Sequence, residues 1–304
     1  MARAFHLLQL ALVALGASRA SGLLAHRALP AVGRAPAAAA LRARARARSR
    51  AAPACTLVVF GATGGVGSEV AFQALERGES VVALCRDPSK LSVPAGSGGP
   101  AAGARLANPK LTAVKGDVTS RADVAAAFDA ARDEGVSGVV VALGGRTSDV
   151  GPTMLRDGTA AIISEMKARG LKRVAVVTSI GAGDSEGQAP FMFKVLMMTV
   201  MKSIFADKNA QEALFNGGAD APGASLEFTL VRPGGLTLDP PNGIINVIDG
   251  QAGSISRADV AAFCLDAVSA SDWPHLRKAP CISSVKGTSW AKDKGAPVGG
   301  NVRN

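Results

Sequence analysis

Glycines at 61, 64 and 67 stand in the run Val58 to Leu75 (VVFGATGGVGSEVAFQAL), spaced G-x-x-G-x-x-G. Glycine at this spacing, after an apolar run and at the opening of a helical one, allows a tight turn. It also lets backbone N–H groups approach an anion whose charge meets the positive end of the helix. The chemistry expected of such a turn is a grip on the pyrophosphate of a dinucleotide, with Thr63, Gly65 and Val66 completing it. The next apolar run ends in Leu84-Cys85-Arg86-Asp87. A guanidinium there pairs through two hydrogen bonds with the 2′-phosphate of NADP, whereas a carboxylate would hold the ribose diol of NAD. Arg86 thus points to NADP(H) in preference to NAD(H), with Asp87 one place late for the ribose; a solvated strand end is the other reading of Arg86.

Two later runs end in residues that belong to the same cleft, because ligands of open α/β sheets lie beyond the carboxyl ends of the strands. Asp117 and Val118 are placed to hold an adenine amino group and to pack its ring. Ala142-Leu143-Gly144-Gly145 lets a nicotinamide ribose come close to backbone, although a turn alone also explains these glycines.

The elements that must position these residues follow from the alternation of short β-branched runs with longer helical patterns, the signature of βαβ units and a parallel sheet. Strands are expected at 56–60, 80–85, 111–114, 138–143, 173–178, 227–231 and 281–284. Helices are expected at 65–77, 122–132, 153–169, 191–215 and 257–270. The strands are continuously apolar, as in sheets covered on both faces. The fold class is therefore α/β, a Rossmann-type, doubly wound, mostly parallel sheet in one domain over 55–285. Residues 92–108, rich in Pro, Gly and Ala, replace the usual helix after the second strand and read as a loose surface insertion. Residues 286–304 lack periodicity and read as a tail.

The motifs VFGATGGVG, CRDPSK (85–90), VVTSIGAGDS (176–185), ADKNAQEAL (206–214), LVRPGGLT (230–237) and ISRADVA (255–261) resemble, together, the atypical short-chain dehydrogenase/reductase superfamily. Within it they are similar to the NAD(P)H-binding group that includes biliverdin reductase B, or flavin reductase. The resemblance covers roughly 56–284. It implies that Ser179 lies beside the nicotinamide and the substrate as a hydrogen-bond donor, a turn-stabilising hydroxyl being the other reading, and that Lys208 lies on the long helix flanking the cleft to hold a ribose or an acidic substrate, a solvated helix lysine being the other reading. Arg232 and Pro233 would belong to the cofactor site, Pro233 and Gly234 shaping the turn that carries the far wall of the pocket, with Arg232 open to a structural ion-pair reading as well. The chain departs from better-known short-chain dehydrogenases in containing no tyrosine. A Y-x-x-x-K alcohol dehydrogenase is excluded, and an epimerase or lyase on bound NAD is disfavoured. Reduction of a flavin, quinone or linear tetrapyrrole asks mainly for stacking of the acceptor over the nicotinamide, with the proton available from water. The rival reading is a non-catalytic NADP(H)-binding sensor or scaffold resembling NmrA-like regulators.

Charge and composition narrow the partners. The formal charge of +10 is concentrated at one end: nine arginines and no acid lie in residues 1–54, leaving 25 basic against 24 acidic residues in the rest. A near-neutral body gives no reason to expect a nucleic-acid partner. Residues 1–20 read as a signal peptide, with an apolar stretch from Phe5 to Ala17 too short to span a bilayer, and 21–54 as an Ala- and Arg-rich transit peptide. The tandem resembles the bipartite address of algal complex plastids, so the plastid is the expected location, with the mitochondrion or secretory pathway as alternatives. No integral membrane segment is expected in the mature chain. Four cysteines without C-x-x-C spacing and three histidines argue against a metal site or a disulfide scaffold. The small-molecule acceptor is the main partner expected, in a monomer or homodimer. Phe191 to Phe205 (FMFKVLMMTVMKSIF), apolar on most sides, reads as core or dimer packing first, an acceptor wall next and a membrane contact last.

Overall fold

A computed structural model describes residues 56–131, 135–145, 151–249 and 252–284. The leader at 1–54 and the tail at 286–304 read from sequence lie outside these residues. The chain runs β1 (Thr56–Phe60), α1 (Gly65–Glu76), β2 (Ser80–Cys85), β3 (Leu111–Lys115), α2 (Arg121–Asp129), β4 (Val136–Val141), α3 (Met154–Ala168) and β5 (Arg173–Val177). It continues through α4 (Phe191–Met198), α5 (Lys202–Asn216), β6 (Glu227–Pro233), β7 (Gly235–Thr237), β8 (Asn246–Val247), β9 (Ser254–Ser256), α6 (Arg257–Ser269) and β10 (Cys281–Ser283).

The eight-stranded sheet has the order β3-β2-β1-β4-β5-β6-β10-β8, and β7 and β9 pair separately. Every pairing in the large sheet is parallel except the last, in which β8 runs antiparallel to β10. The order from β3 to β6 is that of a dinucleotide-binding sheet, with its reversal between β1 and β4. Successive strand residues face opposite sides, and both sides are covered. Leu57, Val59, Val81, Ala83, Val140 and Ala175 pack under α1 and α6. Val58, Phe60, Val82, Leu84, Val139 and Val141 pack under α2, α3 and the end of α5. That double burial is why these runs carry no polar alternation.

Two expectations are corrected. The helix read as continuous over 191–215 is broken at Thr199, whose backbone leaves the helical region (φ −112°, ψ −90°) while its hydroxyl donates back to the Val195 carbonyl at 2.8 Å. Such i−4 back-bonding diverts a β-branched residue from regular helix. Nor is the 92–108 insertion loose. Val93 N–H bonds Ala104 O, Gly103 N–H bonds Val93 O, and Leu106 N–H bonds Leu91 O, closing a small hairpin. Its tip hangs on Glu69, a carboxylate on α1 with 2% exposure, through the N–H groups of Gly96 (2.9 Å) and Ser97 (3.1 Å). A buried carboxylate must find donors, and here the loop backbone supplies them.

Candidate functional site: a dinucleotide cleft at the strand ends

The glycine-rich turn leaves β1 at Gly61, in the left-handed region at φ +90°. A Cβ there would stand 2.4 Å from the Ala142 carbonyl oxygen, so the β1 and β4 ends can lie together only because residue 61 is glycine. At Gly67 a Cβ would meet the Gly61 carbonyl oxygen at 2.0 Å, so the first turn of α1 can fold against the loop only with glycine in that place. Gly64 N–H closes the turn on Gly61 O at 2.9 Å. Thr63, Gly64 and Gly65 face solvent, whereas the Val66 side chain enters the core and leaves only its backbone to a ligand. No side chain caps α1 and no acid occupies its first turn. An uncapped helix start free of carboxylates fits an anion, since its unpaired N–H groups and partial positive charge require one.

Arg86 is exposed just past β2. Asp87 is committed elsewhere: its Oδ1 accepts from the Ser89 N–H (3.1 Å) and hydroxyl (2.6 Å), capping a single turn at Pro88–Lys90. These hydrogen bonds hold its carboxyl below the usual range. Asp117 likewise spends Oδ1 on the Thr119 N–H and hydroxyl, which lower its pKa with help from the Arg86 charge. Val118 packs on α3, where a Cβ on Gly158 would stand 2.8 Å from its Cγ1.

The other half of the cleft is built from β4, β5 and α5. Leu143 is half-buried and Gly144 is exposed with open space about it. Across from them Lys208 on α5 donates to the Thr178 carbonyl at 3.2 Å. Burial pushes its ammonium down to about pKa 8, against the opposing pull of Glu212 and Asp207. A cavity of about 200 Å³ lies between the Gly144-Gly145 turn and α5, lined also by Met154, Leu155, Met201 and Ile204. Ser179, next to Thr178 in sequence and not part of the cavity lining, is half-buried, its hydroxyl donating to the Ile180 carbonyl at 3.0 Å; this is the turn-stabilising arrangement.

Arg232 stands apart from this group. It is 3% exposed and bonds Glu212 through Nε (3.0 Å) and Nη2 (2.5 Å), and Asp184 through Nη1 (2.5 Å). Thr178 adds its hydroxyl to Glu212 at 2.7 Å. The guanidinium expected at the pocket wall is thus the centre of a structural ion-pair network, which raises its pKa further. Pro233 is buried, its carbonyl accepting from Ile180 N–H at 3.1 Å, and ties the end of β6 to the turn carrying Ser179.

Sequence reasoning missed three residues. Asp207 reaches from α5 to the start of α3 and accepts from the N–H groups of Leu155 (2.8 Å) and Arg156 (3.0 Å), replacing a cap that Thr153 does not supply. Glu69 anchors the 92–106 hairpin, and Arg257 lies over Gly65. Each acts across a gap in sequence that no local pattern marks.

Residues 61–271 match the model of a family described as NAD(P)H-binding. An uncharacterized chloroplastic protein of Arabidopsis thaliana is 29% identical over 222 residues, which cover 69% of this chain and 70% of that protein. Among solved structures, the anaerobillin reductase ChuY of Escherichia coli O157:H7 aligns with a TM-score of 0.54 at 23% identity, over 75% of this chain and 97% of that one. A short-chain dehydrogenase/reductase of Veillonella parvula in complex with NADP aligns with a TM-score of 0.56 at 15% identity, over 75% and 94%. The glycine turn, the β3-to-β6 strand order and a family match spanning most of the fold agree: the chain belongs to the NAD(P)H-binding family.

Proposed function

We propose that this protein is an NADPH-dependent reductase whose acceptor is flat and conjugated: a flavin, a quinone or a linear tetrapyrrole. The observation that carries the reading is the cavity between the Gly144-Gly145 turn and α5, walled by methionines and aliphatic side chains and reached by one lysine. Its volume suits the reacting ring of such an acceptor rather than the whole molecule, and Met154 and Met201 are deformable enough to follow a flat surface. When bound, NADPH supplies the hydride.

The chain's own residues orient and protonate. Amides at Gly64, Gly65 and Val66 hold the diphosphate, Arg86 selects the 2′-phosphate, and Asp117 and Val118 meet the adenine. Leu143 and Gly144 admit the nicotinamide ribose. Ser179 positions the acceptor. Lys208, protonated at neutral pH yet easily relieved of its proton, gives that proton to the reduced acceptor and recovers it from water. This chemistry needs no tyrosine, which the chain lacks. The plastid remains the proposed location, supported by the leader's composition and the chloroplastic relative; the destination of a fluorescent protein fused behind residues 1–54 tests it.

The test of function is oxidation of NADPH by the full-length protein in the presence of flavins, quinones and bilins, with NADH as the comparison. Turnover on at least one class with NADPH favoured is the expected result. The missing tyrosine favours a second reading, a sensor that binds NADP(H) without reacting; tight binding with no turnover on any acceptor would establish that one instead.

A further inference from the structure

Arg257 is the first residue of α6. Its side chain crosses to α1 and lies on Gly65: a Cβ on that glycine would stand 2.7 Å from both Cδ and Nε of the arginine. Nη1 donates to the Thr237 carbonyl at 3.0 Å, and no carboxylate forms an ion pair with the guanidinium among the described residues. Glu69, the acid whose charge it feels, is occupied by the amides of Gly96 and Ser97.

Local stability does not explain this position. A cation over the first turn of a helix opposes the macrodipole, and Arg257 lies over the start of α1; at the start of its own helix the Ser256 cap and Asp259 offset the charge. The start of α1 offers it no relief, having neither an acid in its first turn nor a side-chain cap. Partial burial adds a desolvation cost that the charge of Glu69 only partly offsets, which is why its pKa is depressed. The positive potential of the α1 start and that of the guanidinium therefore converge on one point, and an anion placed between them resolves both.

Resting on the dinucleotide reading above, we infer that Arg257 clamps the diphosphate of the bound nucleotide, closing over the glycine turn from the side of α6. Gly65 is the complementary half of the device, because any side chain there displaces the guanidinium. The division of labour is then sharp: Arg86 reads the phosphate that distinguishes NADP, and Arg257 holds the part that NADP and NAD share.

The experiment measures dissociation constants of the full-length protein by calorimetry for NADPH, NADH and 2′-AMP, the last having the 2′-phosphate but no diphosphate. Arg257→Ala is expected to weaken NADPH and NADH by the same factor, about tenfold or more, as for loss of a charge-assisted hydrogen bond, and to leave 2′-AMP within about twofold. Arg257→Lys is expected to recover part of the loss. Gly65→Ala, which keeps the arginine but pushes it aside, is expected to reproduce the Arg257→Ala pattern, and Arg257→Gln, which keeps a polar side chain over Gly65 without the charge, decides the matter if Arg257→Ala does not fold. Unchanged NADPH affinity in the variants, or an equal loss for 2′-AMP, would overturn the assignment. Failure of the unmodified protein to bind any of the three ligands would instead overturn the dinucleotide reading itself.

Discussion

Arg232 and Glu212 meet through two parallel hydrogen bonds, Nε to Oε1 at 3.0 Å and Nη2 to Oε2 at 2.5 Å, in an interior where neither side chain is more than 3% exposed. The pair locks β6 to α5 and so fixes the helix that carries Lys208. Removing one partner leaves the other as an uncompensated buried charge, with only the exposed Asp184 to help it. Glu212→Ala is expected to cost about 3–5 kcal/mol in urea unfolding. Replacing both at once, Arg232→Met with Glu212→Leu, is expected to restore most of that; a double variant as unstable as the single one would contradict the account.

In the proposed reading, nucleotide discrimination rests on a single exposed side chain. Arg86→Ala is expected to reduce NADPH affinity about tenfold or more while leaving NADH unchanged, the loss proper to a two-pronged guanidinium–phosphate contact. Calorimetry with both nucleotides checks it, and an unchanged ratio would remove Arg86 from the site. Asp87 turns its Oδ1 toward Ser89.

Glycine is required at some places in the cleft and free at others. Gly61→Ala combines a left-handed backbone with a 2.4 Å approach to the Ala142 carbonyl, and is expected to destabilise by more than about 1 kcal/mol. Gly144→Ala meets nothing within 4 Å and has no left-handed backbone, so its unfolding midpoint is expected to match that of the unmodified protein. Thermal unfolding of the two side by side provides the test.

Lys208 sets the pH dependence. Its pKa falls from an ordinary 10.5 to about 8 in the folded protein. Between these values the unfolded chain binds more protons than the folded one, so this group's contribution to stability rises with pH across that window. Below about pH 8 the lysine is charged in both states and the burial cost is fully present. The unmodified protein is therefore expected to lose less stability than Lys208→Met on going from pH 8 to pH 10. In turnover the sign reverses: a lysine that donates a proton is active when charged, so kcat/KM is expected to fall above about pH 8. Lys208→Met is expected to lower the rate at pH 7 by about 10² and to abolish that alkaline limb. A variant retaining the limb would show that another group donates.

The strands were legible because burial on both faces writes itself into sequence as runs such as Thr56–Phe60, and the glycine turn because its spacing is set by backbone clashes that recur wherever the geometry does. The break at Thr199 was not legible, since FMFKVLMMTVMKSIF keeps a helical composition through the point where one hydroxyl and two β-branched residues interrupt it. The strands β7, β8 and β9, of two or three residues, are too short to show a period. Composition also misled at 92–108, where small residues suggested slack; the anchor is a carboxylate 27 residues upstream of Gly96. The region of Phe191–Phe205 divides between readings: Met197 and Phe205 are buried, whereas Phe191, Met192 and Met198 are more than half exposed.

The sheet's two margins are guarded by different means. On one side β3 is open along its length but carries Lys115, with Lys110 just ahead of it, charges that would have to be stripped of water before another strand aligned there. On the other, β8 offers only two residues and runs against the direction of its neighbour. A molecule unfurling at either rim thus presents a poor template for fibril growth, an advantage for any protein that must refold after threading through a membrane as an extended chain.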